Sequence, residues 1–151
     1  MAVAGKTVVE RGFRFTMTDS VPTERDLSGD LVRASVSGIG LIYEEADMTG
    51  VSNGVVNFLA NHPSSSISAT FILNDTATTG AHTVIQTVLG STTVLALRFG
   101  AAGAAPASGN PEWGGTYLVS SEVASFDGGK AVVNVTFVAG SATVPAWTTV
   151  T

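Results

Sequence analysis

Residues 117–138 read YLVSSEVASFDGGKAVVNVTFV, and this stretch decides the fold class. Two runs of alternating apolar and polar residues, 117–126 and 131–138, are joined by the segment 127–129, which contains two consecutive glycines. A glycine-rich connection between two such runs is typical of a β-hairpin, because the tight turn needs residues with positive φ. The stretch therefore predicts an antiparallel hairpin. One face of its second strand is formed by Val133, Val135 and Phe137.

The same alternation predicts further strands on the N-terminal side of this hairpin. A bend is expected at Gly38 and Gly40 inside the second of them. The segment 19–30 is predicted to be a loop, and the segment 144–147 to be extended. The apolar residues that define the strands are Phe13, Phe15 and Met17; Val32, Ala34 and Val36, continued by Leu41, Ile42 and Tyr43; Ile67, Ala69, Phe71 and Leu73; and Leu95, Leu97 and Phe99 within 92–99.

Two other segments carry apolar residues at helical spacing. The first, 51–59, ends before the residues NHP at 61–63, because proline disfavours helix at the residue before it. The second, 81–89, is predicted as a one-faced helix that has Thr79 as its cap and ends at Gly90. The apolar residues are Val51, Val55, Phe58 and Leu59 in the first helix, and Ala81, Val84, Ile85, Val88 and Leu89 in the second.

The elements together predict a mainly β protein, a β-sandwich or barrel with one or two short flanking helices. A chain of 151 residues, 44% of them hydrophobic, can fill the core of a single domain spanning 1–151. Within it, 1–30 is interpreted as a polar N-terminal arm. The segment 100–115, rich in Gly, Ala, Pro and Ser, is interpreted as a long loop ordered by a partner.

Charge is distributed very unevenly along the chain. Thirteen of its nineteen charged residues lie in the first fifty positions. Soluble monomers usually cover their surface with many more charged side chains. The later surface must instead consist of small polar and scattered apolar groups, which favours packing against other copies of the chain. The remaining charges are Asp75, Arg98, Glu112, Glu122, Asp127 and Lys130.

Composition also argues against several functional classes. A net charge of −5 disfavours a basic nucleic-acid-binding surface, and the absence of cysteine excludes disulfides and thiolate metal sites. No secretory signal and no long apolar segment is visible, so we expect synthesis in the cytoplasm and no membrane span. The usual catalytic motifs are missing, so we expect no enzyme, catalytic residue, cofactor or metal. His62 and His82 are interpreted as solvated or capping side chains.

A few residues remain as candidate sites. Glu44, Glu45 and Asp47 form a tight acidic cluster, either a weak cation site or an exposed strand end followed by a helix start. Trp113, next to Glu112 in the predicted long loop, is either an interface anchor or packs back on its own domain. Trp147 has the same two alternatives, a core residue or a contact between subunits.

Over about residues 35–150, the order of these sequence segments resembles that of a major tail tube protein of a long-tailed (siphovirus-like) bacteriophage. The pieces that carry the resemblance are YEEAD at 43–47, NGVVNFL at 53–59, the strand 66–73, ND at 74–75, GAHTVI at 80–85, SGNPEW at 108–113, YLVSS at 117–121 and VTF at 135–137. The first thirty residues match this pattern less clearly.

The resemblance implies a structural virion protein without catalytic residues. Such proteins form hexameric rings that stack into a hollow tube, and the inner sheets of neighbouring subunits join into a continuous barrel. The implied partners are other copies of the chain, a tape-measure protein, a tail terminator and baseplate or tip proteins. DNA passes through the tube without specific binding, and the negative net charge of this chain suits such a conduit. Interface candidates are Trp113, Glu112 and Trp147; lumen candidates are Glu44, Glu45, Asp47 and acids among residues 1–30.

Three other functions stay open. A capsid decoration protein is also a small β-rich phage subunit, but it would sit on a shell as a trimer or monomer. A β-sandwich module that binds a ligand such as carbohydrate needs aromatic residues arranged on one face. An enzyme needs a paired acid and base, which the sequence does not display.

Overall fold

The computed structural model describes residues 13–33, 35–52, 54–100, 105, 110–141 and 143–148. In this part of the chain it contains nine strands and one helix. Their bounds are β1 Arg14–Thr18, β2 Glu24–Asp26, β3 Ile42–Asp47, β4 Phe58–Ser64, β5 Ser66–Ile72, α1 Ala81–Val88, β6 Thr92–Arg98, β7 Glu112–Asp127, β8 Lys130–Ala139 and β9 Ala146–Thr148.

Seven strands form one antiparallel sheet, in the order β2-β1-β6-β7-β8-β5, with β9 paired to β7. The long strand β7 organises this sheet, because its first part pairs with β6 and β9 and its second part pairs with β8. Strands β3 and β4 pair only with each other among the described strands, as a separate two-stranded sheet.

The large sheet curls so that its two ends face each other across one core. Phe15 of β1 lies in ring contact with Phe71 of β5, 5.2 Å between centroids, and with Phe137 of β8, 5.7 Å between centroids. Strands β1 and β5 lie toward opposite edges of the sheet. Only a sheet folded over on itself brings their side chains together, and the result is the predicted mainly β sandwich with a short helix.

The predicted hairpin at 117–138 is confirmed, and it is longer than the sequence indicated. Strands β7 and β8 pair up to Asp127 and Lys130, which leaves Gly128 and Gly129 as a two-residue turn. Both glycines have positive φ, 56° and 86°, as the turn type that matches strand twist requires. The alternating residues of β8 face the core as expected: Val133, Val135 and Phe137 are buried.

A β-bulge in β7 changes which residues face the core. Val119 pairs with Phe137, but the next partner of β8, Thr136, pairs with Ser121, so Ser120 is an extra residue. After the bulge, Glu122 lies opposite the buried Val135, and its side chain is 3% exposed. The bulge therefore turns a carboxylate toward the interior.

The second predicted helix is confirmed as α1, with Ala81, Val84, Ile85 and Val88 buried. It ends before Gly90, whose φ is 78°. The expected cap, Thr79, is wrong: Gly80 occupies the cap position without a side-chain hydrogen bond. The carboxylate of Asp30 replaces it, since it accepts the N–H of Ala81 at 3.0 Å. Asp30 also accepts two hydrogen bonds from the side-chain amide of Asn74, both 3.0 Å long.

The first predicted helix, 51–59, is wrong. Residues 58–64 form strand β4, paired with β3, and the segment before it contains turns. Val51, Val55, Phe58 and Leu59 are all exposed, so their helical spacing does not mark a buried face. Pro63, expected to stop the helix, lies in β4. A two-stranded sheet tolerates it because every strand there is an edge strand.

Three other boundaries are also wrong. The predicted strand from Val32 is an irregular segment that pairs with β5 through isolated bridges at Leu31 and Ser37, and regular pairing of the continuation begins at Ile42. Ala34 lies outside the described residues. The loop 19–30 contains β2, held against β1. The loop 100–115 ends early, since β7 begins at Glu112, while 101–104 and 106–109 lie outside the described residues.

The packing of Phe71 predicts a large stability effect. Phe71 is 0% exposed and contacts Phe15, so Phe71→Ala should lower the free energy of unfolding by about 3–5 kcal/mol, measured by urea denaturation. Phe126→Ala is the matched control, because Phe126 is 89% exposed and should change stability little. Equal losses for both variants would contradict the described core.

Candidate functional site

The β3–β4 hairpin, residues 42–64, is the most unusual surface of the described chain. The residues of its two strands are exposed on both faces, apart from the partly buried Ala46 and Pro63. Large exposed hydrophobic side chains concentrate there, although monomeric proteins rarely gather them in one place. Those within 42–64 are Ile42, Tyr43, Met48, Val51, Val55, Val56, Phe58 and Leu59.

Within the described chain, this hairpin is held mainly by its own backbone ladder. The pairs run from Ile42 with Ser64 to Asp47 with Phe58, with a register shift after Tyr43. At the far end, Thr49 Oγ1 accepts the N–H of Asn57 at 2.8 Å. An isolated two-stranded hairpin is only marginally stable in water.

Three of the predicted lumen candidates lie on this hairpin, while the acids among residues 1–30 lie elsewhere. Glu44, Glu45 and Asp47 are exposed on β3, so their carboxylates are interspersed with the exposed apolar side chains. Hydrogen bonds from the side chain and backbone of Thr49 lower the pKa of Asp47, which therefore keeps its charge further into the acidic range. Glu44 Oε2 lies 3.9 Å from Nδ1 of the exposed His62.

These acids do not form a metal centre. Among the described residues, no group of three or more His, Asp or Glu side chains is placed to hold an ion. The other alternative, a strand end before a helix start, is not matched either, since the next described element after β3 is strand β4. The acids belong to an exposed strand of a hairpin.

Trp113 lies in strand β7 and not in a flexible loop. It is 1% exposed, and its Nε1–H donates to the hydroxyl of Tyr117 at 2.7 Å. The same hydroxyl lies 2.8 Å from Oγ of Ser65, which is also buried. The sequence left two alternatives for Trp113, an interface anchor or a residue packed against its own domain. The structure matches the second. The three side chains form a buried polar network that ties β7 to the residue between β4 and β5.

The other two interface candidates lie on the outer side of Trp113. Glu112 accepts a hydrogen bond from Arg98 at 2.7 Å, and this contact holds the pKa of the guanidinium above its usual range. Trp147 on β9 is 47% exposed and lies in ring contact with Trp113, 5.2 Å between centroids, and with Phe99, 5.4 Å. The rings of Trp113, Trp147 and Phe99 thus form a row in which Trp113 is buried and Trp147 is half-exposed. Trp147 remains an interface candidate.

Sequence reasoning missed the partner of His82. Nδ1 of His82 lies 2.6 Å from Oε1 of Glu122, and the side-chain amide of Gln86 donates to the other carboxylate oxygen. The Glu122 side chain is 3% exposed, whereas that of His82 is 34% exposed. His82 and Gln86 are four residues apart on α1 and so share one helix face. The cluster fastens the helix to β7. The bulge that turns Glu122 inward could not be deduced from the sequence.

Comparisons with known proteins find the same fold in solved structures. One is a chain from an extracellular contractile injection system, the PVC sheath/tube terminator in the extended state. It has a TM-score of 0.65 at 13% identity, with 97% of this chain and 99% of that chain covered. The PVC sheath-tube complex contains a chain with a TM-score of 0.65 at 16% identity, with 98% and 95% covered.

A third similar chain belongs to the anti-feeding prophage (AFP) baseplate, a 6-fold symmetrised structure. Its TM-score is 0.65 at 12% identity, and 96% of this chain and 97% of that chain are covered. No protein-family model and no curated protein matches the sequence. At these identities the likeness establishes a shared fold, and it extends over nearly the whole length of both chains. No helix in the described residues is long and apolar enough to span a membrane.

The Trp113 network predicts different roles for the two tyrosines. Tyr117→Phe removes the hydroxyl that joins Trp113 to Ser65 and leaves both buried polar groups unpaired, so it should cost about 1–3 kcal/mol of unfolding free energy. Tyr43→Phe is the control, since Tyr43 lies on the exposed β3. Denaturant unfolding followed by tryptophan fluorescence measures both variants, and an unchanged midpoint for Tyr117→Phe would refute the network.

Proposed function

We propose that this protein is a structural subunit of a phage-type tail tube, in which copies form hexameric rings that stack into a conduit for DNA. The observation that carries this proposal is the β3–β4 hairpin. Its apolar side chains are exposed on both faces, and an isolated hairpin of this kind is only marginally stable in water. A neighbouring copy can cover such a surface permanently, which a transient ligand cannot.

The hairpin also provides backbone groups for joining copies. A two-stranded sheet has one open edge on each strand, whereas β5 of the main sheet is partly covered by the segment at 31–37. The opposite edge of the main sheet is the three-residue strand β2, which contains charged residues. Pairing of β3 or β4 with a neighbouring subunit would satisfy the open edges and extend the sheet around a ring, as the tail tube resemblance implies.

The shared fold supports the same assembly. The similar chains come from a sheath-tube complex, a sheath/tube terminator and a 6-fold symmetrised baseplate. Since the likeness covers nearly the whole of each chain, the same complete domain is compatible with a place in a six-fold tube. On this proposal the partners are other copies of the chain, a tape-measure protein, a terminator and baseplate or tip proteins, and the protein resides in the virion tail.

Charge suits the proposed conduit. DNA is held mainly through cationic contacts to its phosphates, so a passage that must release DNA should avoid them. This chain has a net charge of −5, and its β3 strand exposes Glu44, Glu45 and Asp47. If the joined hairpins line the inner wall, Glu45 and Asp47, two residues apart on one strand face, place a repeated ring of carboxylates there. Glu44 remains a third lumen candidate.

Assembly of the purified protein tests this proposal. Light scattering and negative-stain microscopy at rising concentration should show six-fold rings or tubes, because the exposed hairpin becomes covered by neighbouring copies. The double variant Phe58→Ser/Leu59→Ser should remain a 15.3 kDa monomer while it keeps its fold by circular dichroism. Its unfolding free energy should change by less than about 1 kcal/mol, since both side chains are exposed in the single subunit.

Val21→Ser is the matched control, because Val21 is also an exposed aliphatic residue but lies outside the hairpin. It should assemble like the unsubstituted protein. A strict monomer at every concentration for the unsubstituted protein would refute the proposed function. Normal tubes from the double variant would instead show that the hairpin is not the assembly surface. Trimers bound to a phage shell would indicate a capsid decoration protein.

A further inference from the structure

We propose that the tip of the β7–β8 hairpin, with Phe126 as its anchor, docks into a cavity at the base of the same hairpin in a second copy of the chain. This inference rests on the proposed function, because it names one contact within the assembly. Its anchor lies on the main sheet, whereas its pocket includes the end of β4 at residues 62–64.

The anchor is a large side chain without cover from its own subunit. Phe126 is 89% exposed, although it lies within β7 and points to the same face as Ala124. Its cross-strand partner is Ala131, which is too small to shield an aromatic ring. Val123, 60% exposed, adds a second apolar side chain on the opposite face of the strand. Burial of this aromatic tip by another surface would remove its apolar area from water.

The cavity is a pocket of mixed lining that is large enough for an aromatic ring. Its volume is about 270 Å³. A ring of six carbons needs less room than this, since a cavity of about 150 Å³ binds benzene. Its apolar wall is formed by Leu41, Pro63, Ala139, Val144 and Pro145, and its polar wall by His62, Ser64 and Ser141.

Part of that wall is fixed in place by a glycine. A Cβ on Gly115 would lie 2.7 Å from Cβ of Pro145, so only glycine lets Pro145 approach β7 this closely. The pocket therefore has a preformed side, backed by the same strand that carries the anchor at its other end. A preformed pocket costs less to fill than one that must open.

The anchor and the pocket lie at opposite ends of one hairpin. Ala139 borders the pocket, whereas Ala131 pairs with Phe126 at the tip. Eight residues of strand separate these two alanines, which corresponds to about 27 Å. A subunit therefore cannot fill its own pocket with its own tip. When one end of a molecule fits the other end of its copy, the contact is head-to-tail and repeats from copy to copy.

Charges around the two surfaces are complementary. The tip carries Asp127 and Lys130, which pair across the turn. The pocket side carries His62, and the carboxylate of Glu44 lies 3.9 Å from it. A docked tip can present Lys130 to the carboxylate of Glu44. Two of the six charges after residue 50 thus lie at the tip, where opposite charges can fix its orientation.

Photo-crosslinking tests the contact directly. Phe126 is replaced by benzoylphenylalanine, which keeps an aromatic ring, and isotopically heavy and light copies are mixed before irradiation. Trypsin should leave Phe126 in the peptide 99–130 and much of the pocket wall in 131–151, since cleavage follows Arg98 and Lys130. We expect mixed-isotope crosslinks from position 126 to residues 139–145 or 62–64. The same probe at Val94, another exposed apolar residue of the main sheet, should not yield them.

Crosslinks from position 126 that are confined to one copy, or that map to other surfaces, would overturn the inference. Association measured by light scattering gives a second readout. Phe126→Ala should weaken it about 10- to 100-fold, and Phe126→Leu should restore part of the loss. Tubes that form normally with Phe126→Ala and without the crosslink would reject this contact and leave the proposed function intact. A strict monomer would reject both.

Discussion

The contact of Phe15 with Phe71 and Phe137 is the constraint on which the rest of the structure depends. These rings come from strands separated by most of the width of the sheet, so their packing fixes the curl that turns one sheet into a sandwich. Once the sheet is curled, α1 covers the core with its buried stripe, and Asp30 and Glu122 fasten the helix from two sides. Among the described residues, the β3–β4 hairpin has no comparable anchor. The fold thus combines a well-packed core with a two-stranded segment that buries few side chains of its own.

Elements that bury one face were predictable from the sequence. The β7–β8 hairpin, β5, β6 and α1 each show the period of a strand or helix with one buried side, and all four are present in the structure. The segment 51–59 misled the prediction because periodicity assumes that apolar residues face a core of the same chain. Val55, Phe58 and Leu59 face solvent instead, so their spacing carries no information about the local backbone. The strand pairing with β3 decided the structure there.

The candidate site was predictable only in part. The charge-poor sequence indicated an assembling surface, but it could not show that the exposed apolar side chains concentrate on one hairpin, since exposure is a property of the whole fold. Trp113 was misplaced for a related reason. Its neighbours in sequence are small and polar, whereas its contacts in space are Tyr117 and Trp147, brought together by the pairing of β7 with β9. The bulge at Ser120 that turns Glu122 inward has no clear signal in the sequence either.

The distribution of exposed apolar surface argues for ordered assembly over unspecific aggregation. Natural sheets usually protect their edges, and here the main sheet does so with the charged strand β2 and with the segment paired to β5. Among the described residues, eight of the eighteen large exposed hydrophobic side chains lie on the hairpin 42–64, while these edges of the main sheet stay protected. The apolar residues of β3 are moreover interspersed with Glu44, Glu45 and Asp47, which repel one another when copies approach in a wrong register. In the proposed assembly, a closed ring that buries Phe58 and Leu59 and leaves the carboxylates facing water in its lumen satisfies both conditions.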